Sequence, residues 1–141
     1  MTPPPHAEPG PREVLERLRE ASVTRSATAL AELYAPDAVH EFPFTRPGFP
    51  ARLDGRDEIV TWITTGWREA PLRYDRYRTL AIHDTTNPDT IVVEQQAIGS
   101  SRATGEFALP NLVVLTTRAG RITHLRDYVN IPAAEAALGL T

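Results

Sequence analysis

The two side chains of this sequence best suited to moving a proton are a carboxyl, Asp127, and an imidazole, His40. Asp127 lies in the stretch RITHLRDYVNIP, residues 121–132, which reads as a strand until an arginine and an aspartate stand side by side in its middle. Strand alternation puts Thr123, Leu125, Asp127 and Val129 on one side and Ile122, His124, Arg126 and Tyr128 on the other. Asp127 thus falls on the more apolar face. An acid there is either a structural group, paired with an arginine or bonded to backbone amides, or one tuned for work. If it is desolvated, its pKa rises above about 3.9 and it can give or take a proton near neutrality. His40, in VHEFPF, shares a face with Phe42 and Phe44 that would form a pocket wall. Imidazole titrates closest to neutrality, so His40 is the natural counterpart to the acid, and its plainer role is that of a core histidine bonded to backbone.

Other candidates are polar groups inside apolar runs. In VVEQQAIG, Gln95 shares a face with Val93 and Ala97, and in the next run Asn111 shares one with Leu109, Val113 and Leu115. Buried amides need partners, so each is either a structural amide or a group that orients a ligand's polar atoms. Trp62 and Trp67 pack in the core or wall a site for a planar ligand. His83 and His124 lack metal-ligand spacing, so no metal is expected.

The composition restricts the remaining chemistry. The chain has no cysteine, and all 15 of its basic residues are arginine, which excludes thiolate nucleophiles, disulfides and lysine Schiff bases. There is no glycine-rich phosphate loop, Gly-x-Ser-x-Gly elbow or His-Glu-x-x-His pair, so no cofactor is expected. The net charge of −3, with acids and bases interspersed, argues against nucleic acid as a partner and leaves a small molecule or a protein as the expected one. No run is apolar enough to span a membrane, and the start, MTPPPHAEPGPR, has no signal core, so the expected location is the cytoplasm.

These groups need a scaffold, and 141 residues suffice for one domain. The expected organisation is a disordered tail over 1–10 and a single domain over 11–141. PREVLERLREA predicts a helix starting at Pro11, with Val14, Leu15 and Leu18 on one stripe. ATALAELYA predicts a second, burying Leu30, Leu33 and Tyr34 and ending at Pro36 and Asp37. VHEFPF predicts a short edge strand, and an extended piece follows over Ala51–Leu53. A third helix, EIVTWITTGWRE, capped by Asp57, repeats Ile59, Trp62, Ile63 and Trp67 at helical spacing. Strands follow over Tyr74–Asp84, Thr90–Ile98 and Phe107–Thr117, then the stretch around Asp127, then a short helix, PAAEAALG. Helices followed by a meander predict an α+β domain with helices on one face of a curved, mostly antiparallel sheet.

This order, with LAELYAPDAVHEF and GRITHLRDYVN, resembles the SnoaL-like group of the nuclear transport factor 2-like superfamily, near the phenazine biosynthesis A/B proteins and limonene epoxide hydrolase. The resemblance covers roughly residues 12–139. It implies a cone-shaped sheet around a pocket closed by three N-terminal helices, and a homodimer formed through the outer sheet face by residues such as Arg126 and Tyr128. Residue by residue, the position of the isomerase general base holds Phe42. The positions of the epoxide hydrolase Arg-x-Asp pair hold Gln95 and Ala97. Asp127 matches the remaining aspartate of those enzymes and a glutamate of the phenazine proteins, whose helix histidine aligns with Thr64. Residues and resemblance together predict a cofactor-free acid–base enzyme of small-molecule biosynthesis that isomerises, cyclises, condenses or dehydrates an apolar, cyclic substrate, with Asp127 as acid/base and His40 as its counterpart or an electrophile. In that reading Phe42, Phe44, Trp62 and Trp67 shape the pocket, while Gln95 and Asn111 orient the substrate. An epoxide hydrolase and a non-catalytic ligand-binding dimer are the alternatives.

Overall fold

A computed structural model describes residues 8–140. Residues 1–7 of the expected tail lie outside the described residues, and residues 8–10 lead directly into the first helix. The elements are α1 Pro11–Thr24, α2 Ala27–Leu33, β1 Tyr34–Glu41, β2 Arg52–Asp54, α3 Arg56–Glu69, β3 Leu72–Asp84, β4 Thr90–Ser101, β5 Gly105–Arg118, β6 Arg121–Val129 and α4 Ile131–Leu138. They build an α+β fold around one six-stranded curved sheet of order β2-β1-β6-β5-β4-β3. The β1–β6 pair is parallel and the other four pairs are antiparallel.

Local chemistry explains most of the boundaries. Pro11 opens α1, where a missing N–H costs nothing. Ser26 caps α2 by accepting the Ala29 N–H. Three expectations need correction. The second helix stops at Leu33, because Tyr34 already pairs with Ile122 in the sheet, and Pro36 lies in the irregular segment of β1 before Val39. β1 is not an edge strand, since β2 covers its other side. Gly55, with φ of 89°, takes the cap position of α3, and Asp57 sits in the first turn near the free N–H groups.

The helices cover one face of the sheet. There Val14, Leu15, Leu30, Ile59, Ile91, Val93, Leu115 and Ile122 are sealed from solvent and form the core. β4 shows the alternation most clearly, with Ile91, Val93, Gln95, Ala97, Gly99 and Ser101 buried in turn. Beside it β3 carries irregularities at Asp75 and Leu80. The first puts Tyr74 and Tyr77, three residues apart, opposite Gly99 and Ala97 on the same inner face, with ring centroids 6.1 Å apart.

Gly99 makes this close pairing possible, because a Cβ there would lie 1.9 Å from the Arg73 carbonyl oxygen and 3.0 Å from the Tyr74 Cα. Gly99→Ala should therefore force β3 and β4 apart and cost about 1–3 kcal/mol in urea unfolding. Gly66→Ala, in α3 with nothing within 4 Å of the added carbon, should instead stabilise by roughly 0.5–1 kcal/mol. Equal tolerance of the two substitutions would contradict this account of the β3–β4 contact.

Candidate active site

The inner face of the sheet changes character along its length. Toward one end Ile91, Val93, Val113 and Leu115 are sealed, whereas Tyr74, Tyr77, Leu109, Asn111, Asp127 and Val129 are half-buried. Polar side chains gather at this second level, beside β4, whose inner residues Gln95, Ala97 and Ser101 stay buried. Gln95 pairs directly with Asn111, and Asn111 lies diagonally from Asp127 through the Asn111–Val129 and Val113–Asp127 rungs. The Asn111 Nδ2 donates to Asp127 Oδ1 at 2.9 Å. Burial pushes the Asp127 carboxyl up from 3.8 to about 6, partly offset by the Asn111 hydrogen bond, which favours the ionised form.

Three phenols belong to the same environment. Tyr34 of β1 is fully sealed and its hydroxyl has no protein partner. Burial, followed by the Asp127 charge, raises it well above the ordinary phenol range. Burial also raises Tyr74 and Tyr77, with the Asp127 charge adding to each. All three remain neutral O–H groups at physiological pH. From α1 comes Arg19, 9% exposed, whose Nε and Nη2 donate to Gln95 Oε1 at 3.0 and 2.8 Å. Its Nη1 donates to Thr79 Oγ1 at 2.8 Å and Glu16 Oε1 at 3.0 Å, and its guanidinium lies 5.6 Å from the Tyr77 ring centroid.

His40 pairs with Leu125 and so shares the inner face with Asp127. It is buried with both ring nitrogens unpartnered, which pushes its pKa from 6.5 down to about 4, His124 adding a smaller push. The imidazole is therefore neutral at pH 7, and no hydrogen bond joins it to Asp127. Its ring lies 4.8 Å from that of Phe42, which meets Phe49 at 6.0 Å and Trp62 at 6.3 Å. Trp62 and Trp67 of α3 pack, half-buried, against the core. Among the described residues no group of three or more His, Asp or Glu side chains could hold a metal ion.

The structure thus gathers Asp127, Asn111 and Gln95 on adjacent strands and places His40, Phe42 and Trp62 on the flank. Phe44 is a correction. Alternation holds only while the chain is a strand, and β1 ends at Glu41, so Phe44 is 58% exposed and packs its ring 5.6 Å from that of Tyr128 on the opposite sheet face. Sequence reasoning missed Arg19, Tyr74 and Tyr77, and took Tyr34 only as core. Arg19 had a signal, since it stands four residues after Leu15 on the apolar stripe of α1. The spacing of the two β3 tyrosines had none, because it depends on the irregularity at Asp75.

Asp127 and His40 act on stability in opposite directions over nearly the same pH range. Folded Asp127 holds a proton that the unfolded chain sheds, so its contribution is lost as pH rises from 3.8 to about 6. Folded His40 refuses a proton that the unfolded chain takes up, so stability is gained as pH rises from about 4 to 6.5. Each effect is on the order of 2–3 kcal/mol and the two nearly cancel. In urea unfolding, Asp127→Asn should expose the histidine, making stability rise with pH across this range, and His40→Gln should make it fall. Two curves that simply run parallel to wild type would refute both assignments.

Comparison with known proteins gives this geometry a family context. A family model for the SnoaL-like domain matches residues 15–125. An uncharacterized Pseudomonas aeruginosa protein described as PhzA/B-like is 28% identical over 129 residues, covering 91% of this chain and 89% of that one. A Bacillus subtilis crystal structure, provisionally named an isomerase, superposes with a TM-score of 0.83 at 25% identity, covering 92% of this chain and 93% of the other. A Catenulispora acidiphila protein described as having a ketosteroid isomerase-like fold, solved with trimethylamine, superposes with a TM-score of 0.72 at 22% identity, covering 92% and 94% of the two chains. With the family model running from α1 into β6 and the same architecture recurring in these structures, the chain belongs to the SnoaL-like family of the nuclear transport factor 2-like superfamily.

Proposed function

We propose that the protein is a cytoplasmic, cofactor-free acid–base enzyme that isomerises, cyclises, condenses or dehydrates a small, apolar, cyclic metabolite in a biosynthetic pathway. The observation that carries this reading is the Asp127 carboxyl on a half-buried apolar face, bonded by one amide, neighboured by neutral phenols and pushed by burial up to about 6. A carboxyl with that proton affinity is divided between acid and base near neutrality, as proton shuttling between two substrate atoms requires. The family match ends at Leu125, so the role of Asp127 rests on the geometry of this chain.

The other groups take supporting roles. Asp127 accepts a proton from a carbon next to a substrate carbonyl and returns it elsewhere. The N–H groups of Gln95 and Asn111 and the tyrosine hydroxyls are donors suited to the oxygen on which charge develops. His40, neutral, serves as an electrophile or a second orienting group. Phe42, Trp62 and Trp67 supply apolar walls that exclude water and hold a ring. A ligand-binding role without turnover is the second reading. It is favoured by His40, whose nitrogens have no partner and form no assembled pair with Asp127.

Assembly is a further part of the proposal. The outer sheet face carries a groove of about 860 Å³ lined by Leu80, Leu112, Val114 and Tyr128, with Phe44 and Leu80 exposed. A homodimer through this face would cover it. Light scattering should give twice the mass of one chain, and Leu80→Glu should yield a folded monomer. A wild-type monomer at micromolar concentration would refute the dimer.

Exchange of substrate C–H for solvent deuterium, followed by NMR over a panel of cyclic ketones, tests the chemistry. Wild type should catalyse exchange that rises with pH and levels off above about 6, as Asp127 ionises. Asp127→Asn should fold and lose about 10²–10⁴-fold of the rate. Retention of wild-type exchange by Asp127→Asn would remove Asp127 from the mechanism.

A further inference from the structure

The base form of Asp127 dictates which way Asn111 faces. A carboxylate accepts hydrogen bonds and cannot donate, so Asn111 turns its NH₂ toward it, and Nδ2 donates to Asp127 Oδ1 at 2.9 Å. The amide oxygen of Asn111 therefore points elsewhere. That oxygen is buried and has no hydrogen-bond partner among the described residues. Gln95, directly opposite on the β4–β5 ladder, supplies none. Its own oxygen is already used, accepting from Arg19 Nε and Nη2 at 3.0 and 2.8 Å. Tyr34 shares the environment of Asp127, yet its hydroxyl makes no bond to the Asn111 oxygen either. Of the two strand amides, one has its acceptor filled by the protein and the other has it open.

We propose that Asn111 Oδ1 is a specificity-determining acceptor, and that the otherwise apolar ring on which Asp127 acts carries an O–H or N–H donor a bond or two from the carbon whose proton moves. The placement follows from the amide itself. Its oxygen and nitrogen share one carbon, and the nitrogen lies 2.9 Å from the Asp127 carboxyl. A donor seated on the oxygen at ordinary hydrogen-bond length thus lies beside the carboxyl, close to the reacting carbon. The energetic reason is that a buried acceptor without a partner has given up its hydration for nothing. A ligand that brings a donor recovers this loss, whereas one that brings only C–H groups seals it in. A site built to bond a substrate hydroxyl rejects the analogue lacking it far more strongly than an apolar pocket rejects an added hydroxyl.

The inference rests on the reading of Asp127 as the group that exchanges protons, and it narrows the substrate class from cyclic ketones in general to those bearing a hydroxyl or an N–H near the acidic carbon.

The test sets cyclohexanone against its ring-hydroxylated derivatives, each hydroxyl position in turn, and against their O-methyl ethers, which keep the oxygen and lose the donor. Calorimetry reads binding and NMR reads C–H exchange, in wild type and in Asn111→Leu. In wild type one hydroxyl position should tighten binding and raise kcat/KM for exchange by about 10–100-fold over cyclohexanone and over its own ether. Asn111→Leu also perturbs Asp127, but equally for every compound, so the ratio between hydroxylated and unsubstituted rings reads the acceptor alone. That preference should vanish in Asn111→Leu. Equal handling of all the rings by wild type would overturn the proposal. So would a preference that survives in Asn111→Leu, because another group would then hold the hydroxyl. If Asn111→Leu does not fold, the ¹³C shift of the Asn111 side-chain carbonyl in wild type decides: it should move with the hydroxylated ring and stay still with the ether. Wild-type exchange by Asp127→Asn would instead remove Asp127 from the mechanism, and the binding ratio would then decide the Asn111 acceptor by itself.

Discussion

The fold has to reconcile a carboxyl group with the apolar inner face of a sheet. Removing water from Asp127 disfavours its charge, and one amide hydrogen bond from Asn111 restores only part of the loss. Full neutralisation by a buried cation would return the group to the ordinary acid range and remove the raised proton affinity on which the proposed proton transfer depends. Much of the polar interior is consistent with that compromise. The Arg19 charge is spent on Gln95, Thr79 and Glu16 and leaves Asp127 without an ion pair, and the nearby phenols are too weakly acidic to compete for its proton.

The sheet and the helices divide the task between them. Strand register fixes the spacing of Gln95, Asn111 and Asp127 on adjacent strands, which no single helix could provide. Helix α1 brings the Arg19 guanidinium to Gln95 at one end of this row, and α3 packs two tryptophans against the core. Burial falls from the sealed aliphatic level of Ile91 and Leu115 to half-buried Asn111 and Asp127, while Gln95 beside them on β4 stays buried. The irregularity at Asp75 and the missing side chain of Gly99 belong to the same construction, since they let Tyr74 and Tyr77 face inward together.

Much of this was legible in the sequence because it follows from period. Alternation put Asp127, Asn111 and Gln95 each on a face with apolar neighbours, and helical spacing found α1 and α3. The misreadings occur where period breaks. Phe44 was assigned by extending the alternation of β1 beyond Glu41, where the chain turns and its ring swings to the outer face. A local helical pattern carries the second helix through Tyr34 to Pro36, because it gives no sign of the pairing with Ile122 that claims Tyr34 for the sheet. Arg19 shows its role only in three dimensions, because only the tertiary fold brings Gln95 and Thr79 within reach of this charged residue in the apolar stripe of α1. The resemblance to known families anticipated the architecture, and the bonds around Asp127 came from the three-dimensional structure.

The central claim is that Asp127 keeps its proton to a pH at which an ordinary aspartate has lost it. Infrared difference spectroscopy of wild type against Asp127→Asn at pH 5 observes this directly, because the carbonyl stretch of a protonated carboxylic acid is well separated from the carboxylate bands. The account predicts a protonated-carboxyl band in wild type that is missing from the variant and fades as pH passes about 6. A wild-type spectrum at pH 5 in which Asp127 contributes only carboxylate bands would contradict it.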